Sequence, residues 1–188
     1  MLKDIVLANR SYRSFDMTKR VGEEALKSYV DLARVTASTA NLQALKYRIV
    51  HTEDECAKTL ACTKWAGYLK DMQIPPVGHA PTGYVIICCG TDITNNVTAF
   101  FKDTGIAAQT ILLAAAEEGF GGCMIGSFDE DGLRASLSLP ENVKVTLVVA
   151  LGAPDENVEL VDFEGEIKYY RENGVHYVPK RSLDEVLI

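Results

Sequence analysis

The chain predicts a mixed domain, α/β or α+β, in which a sheet lies between helices. Two observations carry this. Residues 84–90 are a continuous apolar run of strand length, the pattern of a strand covered on both faces, and 143–152 reads as a second fully buried strand. Segments with helical apolar spacing lie before and between these runs, so helices are available to supply both covers. The length of 188 residues fits a single domain spanning 1–188. A chain of that size buries a core without metal or disulfide staples.

The elements follow in order. Residues 2–9 read as a short amphipathic helix, with Leu2, Ile5, Val6 and Ala8 on one face. A second helix follows Gly22. Glu23 and Glu24 fall in its first turn, where the helix dipole favours anions, and Ala25, Leu26, Tyr29, Val30, Leu32 and Ala33 form its apolar stripe. Residues 37–43 are a small polar loop. Tyr47, Arg48, Ile49 and Val50 alternate as a strand does. Residues 53–66 predict a third helix. Residues 67–81 carry Pro75, Pro76 and Pro81 with Gly67 and Gly78, and read as a loop or a mobile flap. Residues 97–118 give the longest helical signal. From Gly105 onward it is apolar nearly all round, which predicts a central buried helix, and Gly119 is its stop. A Gly-rich short strand and turn follow over 121–127. Asp129 is placed to cap another helix over 129–139. Near the end, Glu172-Asn173-Gly174 between strand-like 168–171 and 175–178 predicts a tight hairpin.

Composition excludes several classes. The formal net charge is −7, which argues against a nucleic-acid partner because phosphate backbones are bound by basic surfaces. The five cysteines, Cys56, Cys62, Cys88, Cys89 and Cys123, are odd in number and lack CxxC spacing. They read as reduced cysteines of a cytoplasmic protein. His51, His79 and His176 are scattered and show no zinc-site spacing with them. The first residues do not read as a signal peptide, and no segment approaches the roughly 18 apolar residues of a membrane span.

Two basic segments stand out against the acidic balance: Asn9-Arg10-Ser11-Tyr12-Arg13-Ser14-Phe15 and Val178-Pro179-Lys180-Arg181-Ser182. Either alone reads as ordinary solvated surface charge. Both folding onto one phosphate would explain why both are basic, since guanidinium forks, ammonium groups and serine hydroxyls match phosphate oxygens. Ser38, Asn41 and Gln43 read first as turn formers, and secondly as groups able to meet the polar edge of a heterocycle. The cluster Gly119-Phe120-Gly121-Gly122-Cys123-Met124 is neither a dinucleotide fingerprint nor a Walker loop: it follows a helix, lacks the last glycine and has no Lys-Ser/Thr pair. It reads either as a tight helix-to-strand turn or as a place where backbone approaches a flat ligand. No nucleophile elbow and no telling Cys/His pair is present.

The order of these motifs resembles the nitroreductase-like FMN-dependent oxidoreductases. Arg10-Ser11-Tyr12-Arg13-Ser14-Phe15 resembles their N-terminal signature, and Ser38-Thr39-Ala40-Asn41-Leu42-Gln43 with Tyr47 their second motif. Asp103-Thr104-Gly105, Ala108-Gln109 and Leu112-Leu113-Ala114-Ala115, closing on 119–126, resemble the family's central helix and glycine exit. Residues 147–152 resemble its late strand, and Pro179-Lys180-Arg181-Ser182-Leu183-Asp184-Glu185-Val186 its basic tail. The chain departs from the pattern at Asn9, where many members carry arginine, at Ala37 and Ala44, where prolines are common, and at Leu45, which replaces a frequent tryptophan.

The resemblance implies an α+β fold with a central, mostly antiparallel sheet sandwiched by helices, in an intertwined homodimer. It implies FMN as cofactor, NADH or NADPH as co-substrate, and ping-pong hydride transfer through flavin N5 to an electron-poor small molecule such as a nitroaromatic or quinone. No catalytic side chain is then required. Arg10, Ser11, Lys180 and Arg181 would hold the FMN phosphate. Arg13 would lie nearer the flavin's pyrimidine edge. Ser38, Asn41 and Gln43 would approach the ring, in part from the partner, and Gly126 or Ser127 would offer N–H toward N5. Two alternatives remain open from the residues: a flavin-handling protein without nicotinamide turnover, and a structural protein whose basic segments are plain solvated faces.

Overall fold

A computed structural model describes residues 1–188. The elements are α1 (Leu2–Ala8), β1 (Phe15–Asp16), α2 (Glu23–Arg34), a 3-10 turn (Thr39–Asn41), β2 (Leu45–Val50), α3 (Glu53–Ala61), β3 (Gly83–Gly90), a second 3-10 turn (Val97–Phe100), α4 (Phe101–Glu117), β4 (Gly121–Ile125), α5 (Glu130–Leu137), β5 (Val143–Pro154), β6 (Asn157–Asp162), β7 (Tyr170–Glu172), β8 (Val175–Lys180) and α6 (Leu183–Val186).

The two apolar runs are the middle of the main sheet, as their patterning predicts. β3 is buried at every position. Strand β5 pairs β3 along one edge, with β4 and the short β1 along the other, and β2 closes the far side on β3. Every pairing in this sheet is antiparallel. Side chains alternate through it. Val85, Ile87, Val149 and Leu151 meet Leu26 and Tyr29 of α2 and Ala108 and Ile111 of α4. Tyr84, Ile86, Cys88, Val148 and Ala150 meet Cys56 of α3 and Leu133 and Leu137 of α5. Two cores, one per face, therefore hold the sandwich, and each fully buried aliphatic side chain stabilises it by about 1.5–3 kcal/mol.

Local signals explain the ends. Gly119 takes φ +80°, the Phe120 N–H donates to the Ala115 carbonyl (2.9 Å) and the Gly119 N–H to that of Ala116 (3.2 Å). Together these bonds stop α4 where the glycine predicts. The Asp129 side chain accepts from the Gly132 N–H at 3.1 Å and caps α5.

The structure differs from expectation in four places. Helix α3 ends at Ala61, not 66. Cys62 gives its carbonyl to the Asp129 N–H (2.8 Å) and Thr63 bridges to Phe128, so tertiary pairing takes the segment that helical spacing would have continued. The first turn of the long helical signal, 97–100, is 3-10. Leu32, on the predicted stripe of α2, is 47% exposed. A second sheet, β6-β8-β7, contains the predicted hairpin, with Asn173 and Gly174 both at positive φ, and adds β6 parallel to β8, which period-2 reading did not show. All five cysteines are free. No helix is long and apolar enough to cross a membrane.

Candidate functional site

The N-terminal basic segment lies against the glycines at the start of β4. Ser11 bridges Gly122 and the Tyr12 N–H donates to the Gly122 carbonyl at 2.9 Å. A Cβ on Gly121 would sit 2.5 Å from the Tyr12 ring. The glycine cluster thus lets one backbone lie on another and fixes the residues flanking the Ser11-Tyr12 pair, namely Arg10 and Arg13. From the other end of the chain, β8 supplies His176, Val178 and Lys180 on one face, because strand side chains alternate with period two.

These groups enclose a cavity of about 390 Å³, lined by Val6, Asn9, Arg10, Ser11, Arg13, Gln109, Val158, Leu160, Tyr169, His176, Val178 and Lys180. The lining holds three permanent cations and no carboxylate. None of the three makes a salt bridge. The two basic segments therefore do converge, and they do so within one chain. Arg181 is the exception. It lies outside the lining, its guanidinium 4.5 Å from the centre of the Phe163 ring and its Nη1 3.5 Å from Glu185 Oε1, beside the Ser182–Glu185 capping box of α6. Consecutive residues at the end of a strand point to opposite sides, so Lys180 and Arg181 do not share a face.

Arg13 is buried. Its Nη1 donates to the Ser11 carbonyl (3.2 Å) and lies 3.1 Å from His176 Nε2, while its guanidinium covers the Tyr169 ring at 4.7 Å. Glu156 accepts instead from the backbone N–H groups of Arg13 and Ser14 and pairs with Arg171. Burial, then the Arg13 and Arg171 charges, push His176 down to about 4, so the imidazole is neutral near pH 7. Two buried nitrogens of lining residues have no hydrogen-bond partner, Arg10 Nε and His176 Nδ1. His176, Gln109 and Tyr169 were not foreseen as site residues. The legible signal for His176 is its position four residues before Lys180 in a strand, hence on the same face.

The loop carrying Ser38, Asn41 and Gln43 is held elsewhere. Asp103, in the first turn of α4, accepts from the Ser38 hydroxyl (2.8 Å), the Thr39 N–H (2.8 Å) and the Thr39 hydroxyl (2.7 Å). The Gln43 N–H donates to Ser38 Oγ at 3.1 Å. Ala40, Asn41 and Gln43 all take φ near +50°, a conformation that costs non-glycine residues energy and persists only where surroundings impose it. Burial raises the Asp103 carboxyl, but the Thr39 and Ser38 donors outweigh burial and the net shift is downward. Its contribution is thus complete above the unfolded carboxyl pKa, near 4, and is lost as pH falls through the lower folded value. Replacing Asp103 by asparagine is expected to cost about 2 kcal/mol in chemical denaturation, because part of the donor set loses its acceptor. Hydrogen exchange should then quicken at the Thr39 and Gln43 amides. Unchanged stability and exchange would mean that Asp103 does not hold the loop.

Ser38 and Gln43 line a separate cavity of about 130 Å³ with Tyr47 and Asp103, and Asn41 is exposed. Asp103 and Gln109 are six residues apart on α4, about 120° apart around the helix axis at 3.6 residues per turn. One chain alone therefore does not bring this loop to the cationic cavity. Gly126 and Ser127 are exposed at the far end of β4, four residues and about 13 Å of strand from Gly122. The Ser127 carbonyl accepts from the Lys64 N–H at 2.9 Å. Segment 67–81 reaches the cavity wall through Tyr68, whose ring lies 5.1 Å from Tyr169, itself 5.2 Å from His176.

Comparison with known proteins gives a consistent set. A model of the nitroreductase family matches residues 77–153. A Methanothermobacter thermautotrophicus protein described as an NADH dehydrogenase/NAD(P)H nitroreductase is 28% identical over 158 residues, covering 82% of this chain and 78% of its own. The NADPH-flavin oxidoreductase of Vibrio harveyi is 26% identical over 162 residues, covering 84% and 67%. Among solved structures, a nitroreductase family protein from Streptococcus pneumoniae superposes with TM-score 0.72 at 15% identity, over 100% of this chain and 99% of its own. A Desulfovibrio desulfuricans nitroreductase-type protein in complex with FMN gives TM-score 0.68 at 19% identity, over 82% and 87%.

Proposed function

The chain being nitroreductase-like in sequence and fold, we propose that it is an FMN-dependent oxidoreductase, one domain over 1–188, that works as a homodimer. It takes reducing equivalents from NADH or NADPH and gives them to an electron-poor small molecule such as a nitroaromatic or quinone. The observation that carries this reading is the cationic cavity built from both ends of an acidic chain, whose three cations have no carboxylate partner. The charges of Arg10 and Lys180 and the Ser11 hydroxyl fit the phosphate of FMN. When bound, FMN supplies hydride transfer through N5 in a ping-pong cycle.

The chain's own residues bind and orient. Arg10, Ser11 and Lys180 hold the phosphate through charge-assisted hydrogen bonds, each worth roughly 1.5–3 kcal/mol. The buried guanidinium of Arg13, with no carboxylate partner, adds fixed positive charge that favours negative charge arriving on a bound flavin. Gly126 and Ser127 lend backbone N–H groups at the exposed end of β4. Segment 67–81, seated on Tyr169 through Tyr68, caps the cavity and limits which acceptors enter. Ser38, Asn41 and Gln43 reach a flavin ring only across a dimer, since in one chain they face away from the cavity. The surface for a second copy is the apolar groove between α1, α2 and α4, lined by Met1, Leu2, Ile5, Leu32, Leu113 and Ala114.

The purified protein is expected to be yellow and to bleach with NADH or NADPH without oxygen. A colourless preparation that rejects added FMN overturns the proposal. A yellow protein that stays yellow with both nicotinamides favours a flavin-handling role instead.

A further inference from the structure

We propose that Glu156 is a positioning residue of the cationic cavity: it touches no guest, and it sets Arg10 and Ser11 in register with Lys180. The proposal rests on reading that cavity as an anion site. The two basic walls belong to different sheets. Ser11 and Tyr12 are registered on Gly122 of β4, and Phe15 pairs with Pro154 of β5, so the N-terminal segment belongs to the main sheet. Lys180 ends β8 of the second sheet, which shares no strand pairing with the first. The spacing of the cations across the cavity is therefore set by how one sheet is placed against the other.

Glu156 stands at that junction, between the end of β5 at Pro154 and the start of β6 at Asn157. Its side chain is 5% exposed. Oε1 accepts from the Arg13 and Ser14 N–H groups, and Oε2 pairs with Nη2 of Arg171 on β7. Arg171 stands opposite His176 of β8, and His176 Nε2 lies 3.1 Å from Arg13 Nη1. Arg13, Glu156, Arg171 and His176 thus close a ring that fastens the N-terminal segment to the second sheet. A carboxylate suits this post because it only accepts: one oxygen serves two backbone donors while the other serves a guanidinium. An amide would serve one side and set a donor against the other. Glu156 is absent from the lining, so it joins the sheets without placing a negative charge among the three cations.

A negative charge close to an anion site repels the anion, so removing it with nothing displaced would tighten anion binding. A positioning role predicts the opposite sign. Affinities for inorganic phosphate, FMN and riboflavin are to be compared in the intact protein, in Glu156→Gln, and in Glu156→Gln combined with Arg171→Met. The combined change keeps the local charge balance and leaves no uncompensated buried cation. Expected in both variants are phosphate and FMN affinities roughly tenfold lower, with riboflavin affinity unchanged. Hydrogen exchange at the Arg13 and Ser14 amides should quicken. A single variant that binds phosphate or FMN as tightly as the parent, or more tightly, overturns the proposal, since Glu156 would then act through its charge or not at all. So does a combined variant that keeps the parent's preference for FMN over riboflavin. If phosphate affinity falls in both variants while no protein takes FMN, the role of Glu156 stands and the flavin reading falls. If all three bind FMN equally, the reverse holds. A parent that binds neither overturns both. Should the variants fail to fold, the parent decides alone: its Arg13 and Ser14 amides must exchange as slowly as those of β4, and fast exchange overturns the proposal.

Discussion

Replacing Gly122 by alanine is expected to remove about 3–5 kcal/mol of stability, a large share of the roughly 5–15 kcal/mol typical of a domain. The added Cβ would stand 2.0 Å from the Ala150 carbonyl oxygen, 2.8 Å from Leu112 Cδ2 and 3.1 Å from Leu151 Cδ2. A leucine terminus can rotate away. The carbonyl cannot, because it belongs to β5, which is paired on both edges. Relief therefore requires β4 to lift from β5, and overpacking against backbone lies at or above the usual range of about 1–3 kcal/mol. The midpoint of thermal unfolding should fall by about 10 °C, at roughly 2–4 °C per kcal/mol for a chain of this length. Gly67→Ala is the control, since a Cβ there meets nothing within 4 Å. The effect reaches the site as well, because Ser11 and Tyr12 are registered on Gly122 and Arg10 and Arg13 flank them. A Gly122→Ala protein as stable as the Gly67→Ala control would show that β4 has slack.

The layered fold was legible because both cores follow simple periodicities. The run at 84–90 is apolar on both faces and became β3; 143–152 became the inner strand β5, fully buried only from Val148 onward; and the apolar stretch after Gly105 became α4, which is buried along one side while Ile106 is 41% exposed. Single residues with strong backbone preferences, Gly119, Asp129 and Asn173-Gly174, marked ends and turns correctly. What escaped is set by tertiary pairing. Residues 62–66 have helical spacing, yet Cys62 and Thr63 pair with Asp129 and Phe128. β6 is short and only partly buried, with Val158 and Leu160 alternating with Asn157 and Glu159, and such a pattern does not show which strand it pairs with or that the pairing is parallel. At the site, basic segments in an acidic chain pointed to convergence, and Arg10, Ser11, Arg13 and Lys180 do share one wall. The fine placement was not legible. Whether Lys180 or Arg181 faces inward depends on strand register, and the Asp103 clamp on Ser38 and Thr39 joins residues more than sixty positions apart. The glycine pair at 121–122, open between a tight turn and a ligand approach, serves a third purpose: it seats the N-terminal segment on β4.

Arg10→Ala combined with Lys180→Ala is expected to weaken FMN binding by roughly 10²–10⁴-fold, two charge-assisted bonds at about 1.5–3 kcal/mol each. Riboflavin, which lacks the phosphate, should bind the parent and the double variant alike. The loss must therefore appear as a collapse of FMN-over-riboflavin selectivity, measured by quenching of flavin fluorescence. Salt provides a second reading. Parent affinity for FMN should fall as ionic strength rises, and the double variant should respond less, since two of the three lining cations are gone and the third, Arg13, is buried and less screened. The single variants decide whether the two ends of the chain act on one group. Residues sharing a partner are coupled, typically by about 0.5–3 kcal/mol, so the two single losses should not sum to the double loss. Additive effects would mean that Arg10 and Lys180 do not act on one common group. Arg181→Ala is the internal contrast: its guanidinium sits over Phe163 and beside Glu185, outside the lining, and its removal should cost FMN affinity far less than removal of Lys180. An Arg181 effect as large as that of Lys180 would mean that the C-terminal segment turns its other face to the phosphate in the working dimer, and the cavity described for one chain would no longer be the site.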